Sequence, residues 1–148
     1  MRAVIQRVKN AKVSVENNIV GKIQRGILVF FAVSKEDELS QIPWIVNKLV
    51  NLRIFPDKEG RLNLSLKDIK GEVLAISQFT LYGDCSKGRR PSFIDAMEPA
   101  KAEVFYDEFV GLLRKEAETV QTGVFGADME VSLVNDGPVT LIVEAKKS

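Results

Sequence analysis

The most informative feature of this 148-residue sequence is an absence, because it contains no histidine. Serine and cysteine nucleophiles usually pass their proton to a histidine, and most zinc sites include one. A single cysteine, Cys85, cannot form an internal disulfide and argues against a transition-metal centre. An enzyme with this sequence would have to use carboxylates, hydroxyls, lysines, backbone groups or parts of its own substrate. We therefore expect neither a metal nor a cofactor.

Long apolar runs and a net charge of one sign are also missing. The longest apolar run, Ile27 to Val33, is too short to span a bilayer, and the N-terminus lacks the pattern of a signal peptide. The 21 Lys and Arg nearly balance the 20 Asp and Glu, so no overall positive charge indicates a nucleic-acid partner. A local basic patch remains open. These features predict a cytoplasmic protein with no membrane partner.

What the sequence does contain is the composition of one globular domain. Hydrophobic residues make up 45% of it and charged residues 28%, which is typical of a globular chain and not of a disordered or fibrous one. A chain of this length can bury most of its apolar surface in one core. No repeat, low-complexity tract or linker divides it. We predict a single domain covering residues 1–148.

The hydrophobic pattern predicts strands interrupted by two helices. Alternating residues indicate strands at Arg2–Val8 and Ala11–Val15, and the unbroken apolar run Ile27–Val33 is typical of a central strand buried on both faces. Helical spacing follows over Ile42–Val50, and Pro99 opens a second helix. This order predicts an α+β fold, in which two main helices cover a curved, barrel-like, mostly antiparallel or mixed sheet.

One predicted strand, Glu72–Tyr82, becomes polar in its second half, which suggests that its end faces a cleft. On a strand, Ser77 and Phe79 would point to one face and Gln78 and Thr80 to the other. Residue types alone favour an ordinary strand with polar side chains in water. Neither hydroxyl has an obvious base nearby in the sequence. They are better suited to orienting a substrate beside backbone amides that stabilise an oxyanion.

A basic loop follows this strand and places three cations, Lys87, Arg89 and Arg90, within four positions. Surface charge in a loop rich in glycine and proline is most often simply solvated. A phosphate backbone would nevertheless suit the three cations, and the aromatic ring of Phe93 could stack on a base. The loop therefore keeps open a non-catalytic nucleic-acid-binding module as an alternative function.

The stretch 135–140, with the sequence NDGPVT, lies between two runs that alternate apolar and polar residues. This pattern predicts two strands joined by a tight connection. Asp136-Gly137 alone would be typical of a hairpin turn, but Pro138 removes a backbone donor. Only about 5 to 6% of X-Pro bonds in folded proteins are cis, so the default prediction is a trans bond. Arg7 could be a rim charge or a buried partner of carbonyls, and spacing does not decide between them.

Six segments of the sequence together resemble the D-aminoacyl-tRNA deacylase family. They occur in the family's order and span nearly the whole chain, which makes the set specific although each segment alone is weak. The segments are 1–8 (MRAVIQRV), 52–55 (LRIF), 77–81 (SQFTL), 88–93 (GRRPSF), 123–129 (GVFGADM) and 135–140 (NDGPVT).

The resemblance implies a fold, an activity and an assembly. Members of the family have a barrel-like β-sheet with helices outside and act as cytoplasmic homodimers with active sites at the subunit interface. Their activity is hydrolysis of the ester that joins a D-amino acid, or glycine, to the terminal adenosine of tRNA. Aminoacyl-tRNA is therefore the implied partner, and the implied task is proofreading that rejects L-aminoacyl-tRNA. A general esterase, indifferent to tRNA and to chirality, is the enzymatic alternative.

The resemblance also assigns roles to particular residues. Gly137-Pro138 would be a cis dipeptide that reaches into the pocket of the partner subunit, where its carbonyls leave no room for an L side chain. Arg7 looks like the residue that holds this dipeptide. With aminoacyl-tRNA as the partner, the phosphate-binding loop residues Lys87, Arg89 and Arg90 become the predicted tRNA-binding residues. The substrate pocket would be lined by Ser77, Gln78, Phe79 and Thr80.

The absent histidine is consistent with these roles. An ester to a ribose hydroxyl has a neighbouring hydroxyl within reach, so the substrate itself could activate the attacking water. Backbone amides near Phe79 and Thr80 would stabilise the oxyanion. We therefore expect hydrolysis without an essential side-chain base.

Overall fold

The computed structural model describes residues 1–146, and the last two positions of the predicted domain, 147 and 148, lie outside the described part. The described residues form eight strands, three α-helices and two short 3-10 helices, the latter at Leu39–Gln41 and Phe79–Tyr82. The strands are β1 (Arg2–Val15), β2 (Asn18–Ile23), β3 (Gly26–Ala32), β4 (Phe55–Pro56), β5 (Leu62–Leu64), β6 (Glu72–Ser77), β7 (Val120–Thr122) and β8 (Glu130–Glu144). The helices are α1 (Ile42–Asn51), α2 (Leu66–Ile69) and α3 (Pro99–Glu116).

The long strand β1 organises the sheet. The two strands predicted at Arg2–Val8 and Ala11–Val15 are one continuous strand, so their separation in the sequence analysis is wrong. The first half of β1 pairs with β3 and the second half with β2, while β8 runs antiparallel along the other edge. One strand that serves two different neighbours in succession has to curve, which gives the sheet its barrel-like shape.

The central position predicted for the apolar run after Gly26 is confirmed. Strand β3 lies between β1 and β6, and every residue except Phe30 is buried. Strands β6 and β7 continue the sheet in parallel pairs, so the sheet is mixed. A Cβ added at Gly21 of β2 would lie 2.7 Å from the carbonyl oxygen of Thr122 in β7. The two end strands therefore approach closely, and the barrel is nearly closed.

The two main helices cover the sheet as predicted. Pro43 lies in the first turn of α1, and α3 begins at Pro99. Both helices bury an apolar face in the core that contains β3. There the ring of Phe109 stacks on Phe31 with ring centroids 4.0 Å apart. The α+β fold class is confirmed, and no helix within residues 1–146 combines the length and apolar character needed to cross a bilayer.

The predicted hairpin around Gly137 is wrong, because β8 is one strand from Glu130 to Glu144. Gln6 of β1 pairs with Thr140, and Val8 pairs with Asn135. Four residues of β8, 136–139, thus lie opposite Arg7 alone, and we call them the 136–139 bulge. The residues that mimic a turn in the sequence are accommodated as extra length in a continuous strand.

Candidate active site

A cavity of about 590 Å³ opens where β6 ends. Its lining is largely apolar and aromatic, with a few polar groups, as is typical of ligand sites. The wall comes from the ends of β3 and β6, the start of α3 and the segment 125–131. Three of the predicted pocket residues, Ser77, Gln78 and Phe79, line this cavity, whereas Thr80 does not.

The chain does not continue as a strand beyond Ser77, so the predicted alternation of faces through residues 77–80 is wrong. Residues Phe79–Tyr82 form a 3-10 helix, which we call the 79–82 turn. Gln78, with φ −145° and ψ 78°, lies between the strand and the turn, and its amide donates to the carbonyl of Phe31 at 2.8 Å. This tertiary contact overrides the strand preference of the local residue types.

The 79–82 turn presents backbone amides. Within it, the Leu81 amide donates to the Gln78 carbonyl at 3.2 Å, and the Gly83 amide donates to the Thr80 carbonyl at 2.9 Å. The amides of Phe79 and Thr80 come first in the turn and therefore lack an acceptor inside it. In residues 1–146 neither of these two amides has another hydrogen-bond acceptor. Both are available as donors to a ligand.

The two hydroxyls beside the turn have no base as partner. Thr80 Oγ1 accepts a hydrogen bond from the side-chain amide of Gln78. Among the hydrogen bonds of the described residues, none joins Ser77 or Thr80 to a carboxylate or a lysine. Within residues 1–146 neither hydroxyl therefore has the adjacent base that usually activates a nucleophile.

Aromatic rings form the mouth and the back of the cavity. Phe79 and Phe93 meet edge to face at the mouth, with ring centroids 5.2 Å apart. At the back, Tyr106 packs against Phe125 and donates its hydroxyl to the Ala75 carbonyl at 2.7 Å. Burial raises the pKa of Tyr106 to about 12. Its phenol therefore stays protonated at neutral pH and does not act as a base.

Arg7 is a buried partner of carbonyls and not a rim charge. Its Nε donates to the Asp136 carbonyl at 3.0 Å, and its Nη1 donates to the Ile54 carbonyl at 2.7 Å. The Asp136 carboxylate lies 3.5 Å from the same Nε. The guanidinium thus fills the space that the 136–139 bulge leaves opposite a single β1 residue, and it ties the bulge to the body of the protein.

Gly137 has a backbone conformation that only glycine adopts readily, with φ +128°. An added Cβ would lie 2.9 Å from Nη2 of Arg7 and 3.0 Å from Cγ2 of Val139. The Gly137–Pro138 bond is cis. The trans bond predicted from the turn pattern is therefore wrong, and the cis bond implied by the family resemblance is present. Asn135 braces the bulge by accepting from the Val139 amide at 3.2 Å.

The residues predicted for the pocket and for chiral selection thus fall into two groups within one chain. One group, at the end of β6, lines the cavity. The other, Gly137 and Pro138, is exposed and does not line that cavity. Arg7 belongs to the second group. A single chain therefore leaves the dipeptide without the pocket into which the resemblance places it.

The basic loop leads from the 79–82 turn back to the cavity. It is closed by two hydrogen bonds between the backbones of Asp84 and Ser92, at 2.7 and 2.9 Å. Lys87, Arg89 and Arg90 are exposed on it, and none of them forms an ion pair within residues 1–146. The loop thus presents three free cations immediately before Phe93, at the cavity mouth.

One residue at the site was missed by the sequence analysis. Arg2 donates from Nη1 to the Leu81 carbonyl of the 79–82 turn at 2.6 Å, and its guanidinium carbon lies 4.7 Å from the centroid of the Tyr82 ring. Its Nε also pairs with Glu144 at 2.7 Å. No local sequence signal could have found these contacts, because every partner is distant along the chain.

Solved structures match this fold over nearly its whole length. One, described as "c-Myc DNA Unwinding Element Binding Protein", is 41% identical with a TM-score of 0.94, and the match covers 99% of this chain and 100% of that one. Another, "Structural Analysis of a probable eukaryotic D-amino acid tRNA deacylase", has a TM-score of 0.83 and covers 96% and 97% of the two chains. At 20% identity, this second likeness concerns the fold alone.

The sequence comparisons give the family. The sequence profile of the family described as D-Tyr-tRNA(Tyr) deacylase matches residues 4–144, and the chain belongs to this family. Relatives named D-aminoacyl-tRNA deacylase include one from Thermosipho africanus at 57% identity and one from Clostridium acetobutylicum at 56%, each match covering 99% of both chains. Another, from Geobacter sp. (strain M21), is 58% identical over 97% of both chains. The resemblance found in the sequence is confirmed.

Proposed function

We propose that this chain hydrolyses the ester bond between a D-amino acid and the terminal adenosine of tRNA, releasing the amino acid and the tRNA. Membership of the family and the shared name of the relatives support the reaction. The observation that carries the proposal is the 79–82 turn, whose first two amides lack acceptors beside a cavity lined by Ser77, Gln78 and Phe79. Donors of this kind are what acyl transfer requires.

The reaction proceeds by attack of water on the ester carbonyl. Negative charge develops on the carbonyl oxygen, and the amides of Phe79 and Thr80 stabilise it. The neighbouring hydroxyl of the terminal ribose takes part in activating the water, because it is held next to the ester by covalent geometry. The absence of histidine and the protonated state of Tyr106 support a mechanism without a side-chain base.

Chirality is selected by the Gly137-Pro138 dipeptide of a partner subunit. Its carbonyls occupy the space that an L side chain would need, whereas a D side chain points elsewhere and glycine passes. Specificity then comes mainly from rejecting the wrong substrate. The exposure of the dipeptide outside its own cavity supports this role, and so does the buried Arg7 that holds the bulge.

Selection by the dipeptide of a partner subunit requires a homodimer with active sites at the subunit interface. Strand β8, which carries the dipeptide, exposes the apolar residues Val134, Leu141 and Ile142, the last to 67%. Large apolar side chains grouped on one exposed strand suit coverage by a second copy. We expect the dipeptide of each copy to enter the cavity of the other.

The basic loop contacts the tRNA. Lys87, Arg89 and Arg90 are exposed and free of ion pairs in the described residues, so they can neutralise phosphates without losing internal partners. Phe93 follows these cations in the chain and lies at the cavity mouth. Phosphates bound by the loop would therefore lie near that mouth.

The proposal is tested by measuring release of labelled amino acid from D-tyrosyl-tRNA, L-tyrosyl-tRNA and glycyl-tRNA at matched enzyme concentrations. We expect the D and glycyl substrates to be hydrolysed, and the L substrate more than about 100-fold more slowly. Equal rates on the D and L substrates would contradict chiral selection and favour a general esterase. Replacing the terminal adenosine by one without the neighbouring ribose hydroxyl should lower the rate on the D substrate; an unchanged rate would exclude substrate assistance.

A second candidate function is a non-catalytic nucleic-acid-binding module that uses Lys87, Arg89 and Arg90. The observation that favours it is the description of the 41% identical structure as a DNA unwinding element binding protein. Tight binding of tRNA or DNA without turnover of any aminoacyl ester would support this function, whereas turnover of D-aminoacyl-tRNA would exclude it as the main one.

A further inference from the structure

Arg2 connects three parts of the molecule at the base of the 79–82 turn. Its Nη1 donates to the Leu81 carbonyl at 2.6 Å, and its guanidinium lies over the Tyr82 ring. Its Nε is 2.7 Å from the Glu144 carboxylate. The planar guanidinium makes all three contacts from one fixed geometry, which an ammonium group cannot do.

The turn has one anchor at each end. At its start the Gln78 amide donates to the Phe31 carbonyl at 2.8 Å, and at its end Arg2 binds the Leu81 carbonyl. The amides of Phe79 and Thr80 lie between these two anchors. The backbone of Arg2 is itself fixed, because it pairs with Ala32 of β3 on one side and Glu144 of β8 on the other.

We infer that Arg2 is a positioning residue, which holds the 79–82 turn so that the Phe79 and Thr80 amides are already oriented as donors before substrate arrives. The inference rests on the proposed function, because it assigns the orientation of the same two donors. Loss of Arg2 should therefore lower the rate of the chemical step and leave substrate binding nearly unchanged. Oriented donors are sensitive to displacement, since a shift of about 1 Å can cost up to about 100-fold in rate.

The test is single-turnover hydrolysis of D-tyrosyl-tRNA with Arg2→Met protein in increasing excess. An inactive fraction of enzyme changes only the half-saturating concentration, whereas a displaced turn lowers the plateau rate. We expect the plateau to fall about 10-fold or more and the half-saturating concentration to stay within about 2-fold. A plateau within about 2-fold of the unmodified protein would overturn the inference.

Two further variants separate positioning from folding. Glu144→Gln removes the exposed ion pair but leaves the bond from Arg2 to Leu81, so we expect a plateau within about 2-fold of the unmodified protein. Arg2→Lys keeps the charge and most of the stem but loses the planar fork. We expect it to lower the plateau by at least about 3-fold. If Arg2→Met does not fold, an unchanged plateau in Arg2→Lys overturns the inference.

A spectroscopic readout is independent of activity. The amide resonances of Phe79 and Thr80 in a proton–nitrogen correlation spectrum should move in Arg2→Met and Arg2→Lys and stay in place in Glu144→Gln. Unmoved resonances would overturn the inference even if the plateau rate falls. If the unmodified protein hydrolyses no aminoacyl-tRNA, the proposed function fails, and the resonances alone still decide whether Arg2 positions the turn.

Discussion

The 79–82 turn and the 136–139 bulge share a construction and differ in how they are held. Each presents backbone groups, and each is anchored through a carbonyl by an arginine of β1: Arg2 binds Leu81, and Arg7 binds Asp136. The side chain of Arg7 is only 9% exposed, whereas that of Arg2 is 33% exposed. In both regions the sequence uses side chains to orient backbone groups that we propose to act on the substrate.

Because Arg2 and Arg7 differ in burial, we expect the loss of each side chain to have a different consequence. Water can replace some of the contacts of Arg2, so its loss should affect the geometry of the turn more than the stability of the fold. Arg7 is enclosed, and its loss would leave the Asp136 carbonyl, which is partly buried, and the Ile54 carbonyl, which is buried, without their donor. We therefore expect changes in the turn to affect the proposed chemistry alone, and changes in the bulge to affect stability together with the proposed chiral selection.

The largest effect should come from removing one amide of the turn. Phe79→Pro deletes the N–H, and proline is tolerated at the first position of a helical turn, where the N–H has no internal acceptor. Phe79→Leu keeps the N–H and serves as the control for the lost ring. We expect Phe79→Pro to lower kcat on D-aminoacyl-tRNA by about 100-fold or more relative to Phe79→Leu, as for other oxyanion donors. Equal rates of the two variants would show that the Phe79 amide takes no part in the mechanism.

The next effect concerns the anchor of the bulge. Arg7→Met removes a buried charge together with two hydrogen bonds to carbonyls. We expect it to lower the free energy of unfolding by about 3 kcal/mol, measured from the midpoint and slope of urea denaturation. Lys9→Met, on the exposed part of the same strand, should change it by less than about 0.5 kcal/mol. Similar effects of the two variants would show that burial of Arg7 does not set its importance.

A smaller effect is expected from Gly137→Ala, which places a Cβ 2.9 Å from Arg7 in a conformation with φ +128°. The bulge has to shift, so the ratio of D to L hydrolysis should fall about 10-fold. Gly111→Ala is the matched control, because its added Cβ has no heavy atom within 4 Å. The D/L ratio of both variants is measured under single-turnover conditions. An unchanged ratio in Gly137→Ala would place chiral selection elsewhere.

The basic loop contrasts with both regions, because there charged side chains are proposed to contact the substrate directly. Arg89→Ala and Arg90→Ala should each raise the half-saturating tRNA concentration a few-fold, with no change in the D/L ratio. Each should also reduce the slope of log affinity against log salt by about 1. A changed D/L ratio would show that the loop takes part in selection.

The sequence predicted those parts of the fold that depend on periodicity. The buried strand β3 and the amphipathic helices α1 and α3 appear where their apolar spacing places them. The end of β6 was also expected to face a cleft, and the cavity lies there. Predictions from such patterns agree with the structure because apolar spacing reflects which face of an element packs into the core.

Two features of the site could not be read from local residue types. Phe79-Thr80-Leu81 consists of strand formers but turns into a 3-10 helix, because Phe31 and Arg2 hold its two ends. The stretch from Asn135 to Pro138 carries turn residues but belongs to a continuous strand, because Arg7 fills the bulge. In both cases the deciding contact comes from a residue distant in sequence.

The central claim is that backbone amides, and not the hydroxyls beside them, carry the chemistry. The most direct measurement is the single-turnover rate of a Ser77→Ala, Thr80→Ala double variant on D-aminoacyl-tRNA, with folding confirmed by its thermal midpoint. We predict a rate within about 5-fold of the unmodified protein, because both amides of the turn are kept. A fall to the uncatalysed rate in the folded variant would contradict the account and identify a hydroxyl as the nucleophile.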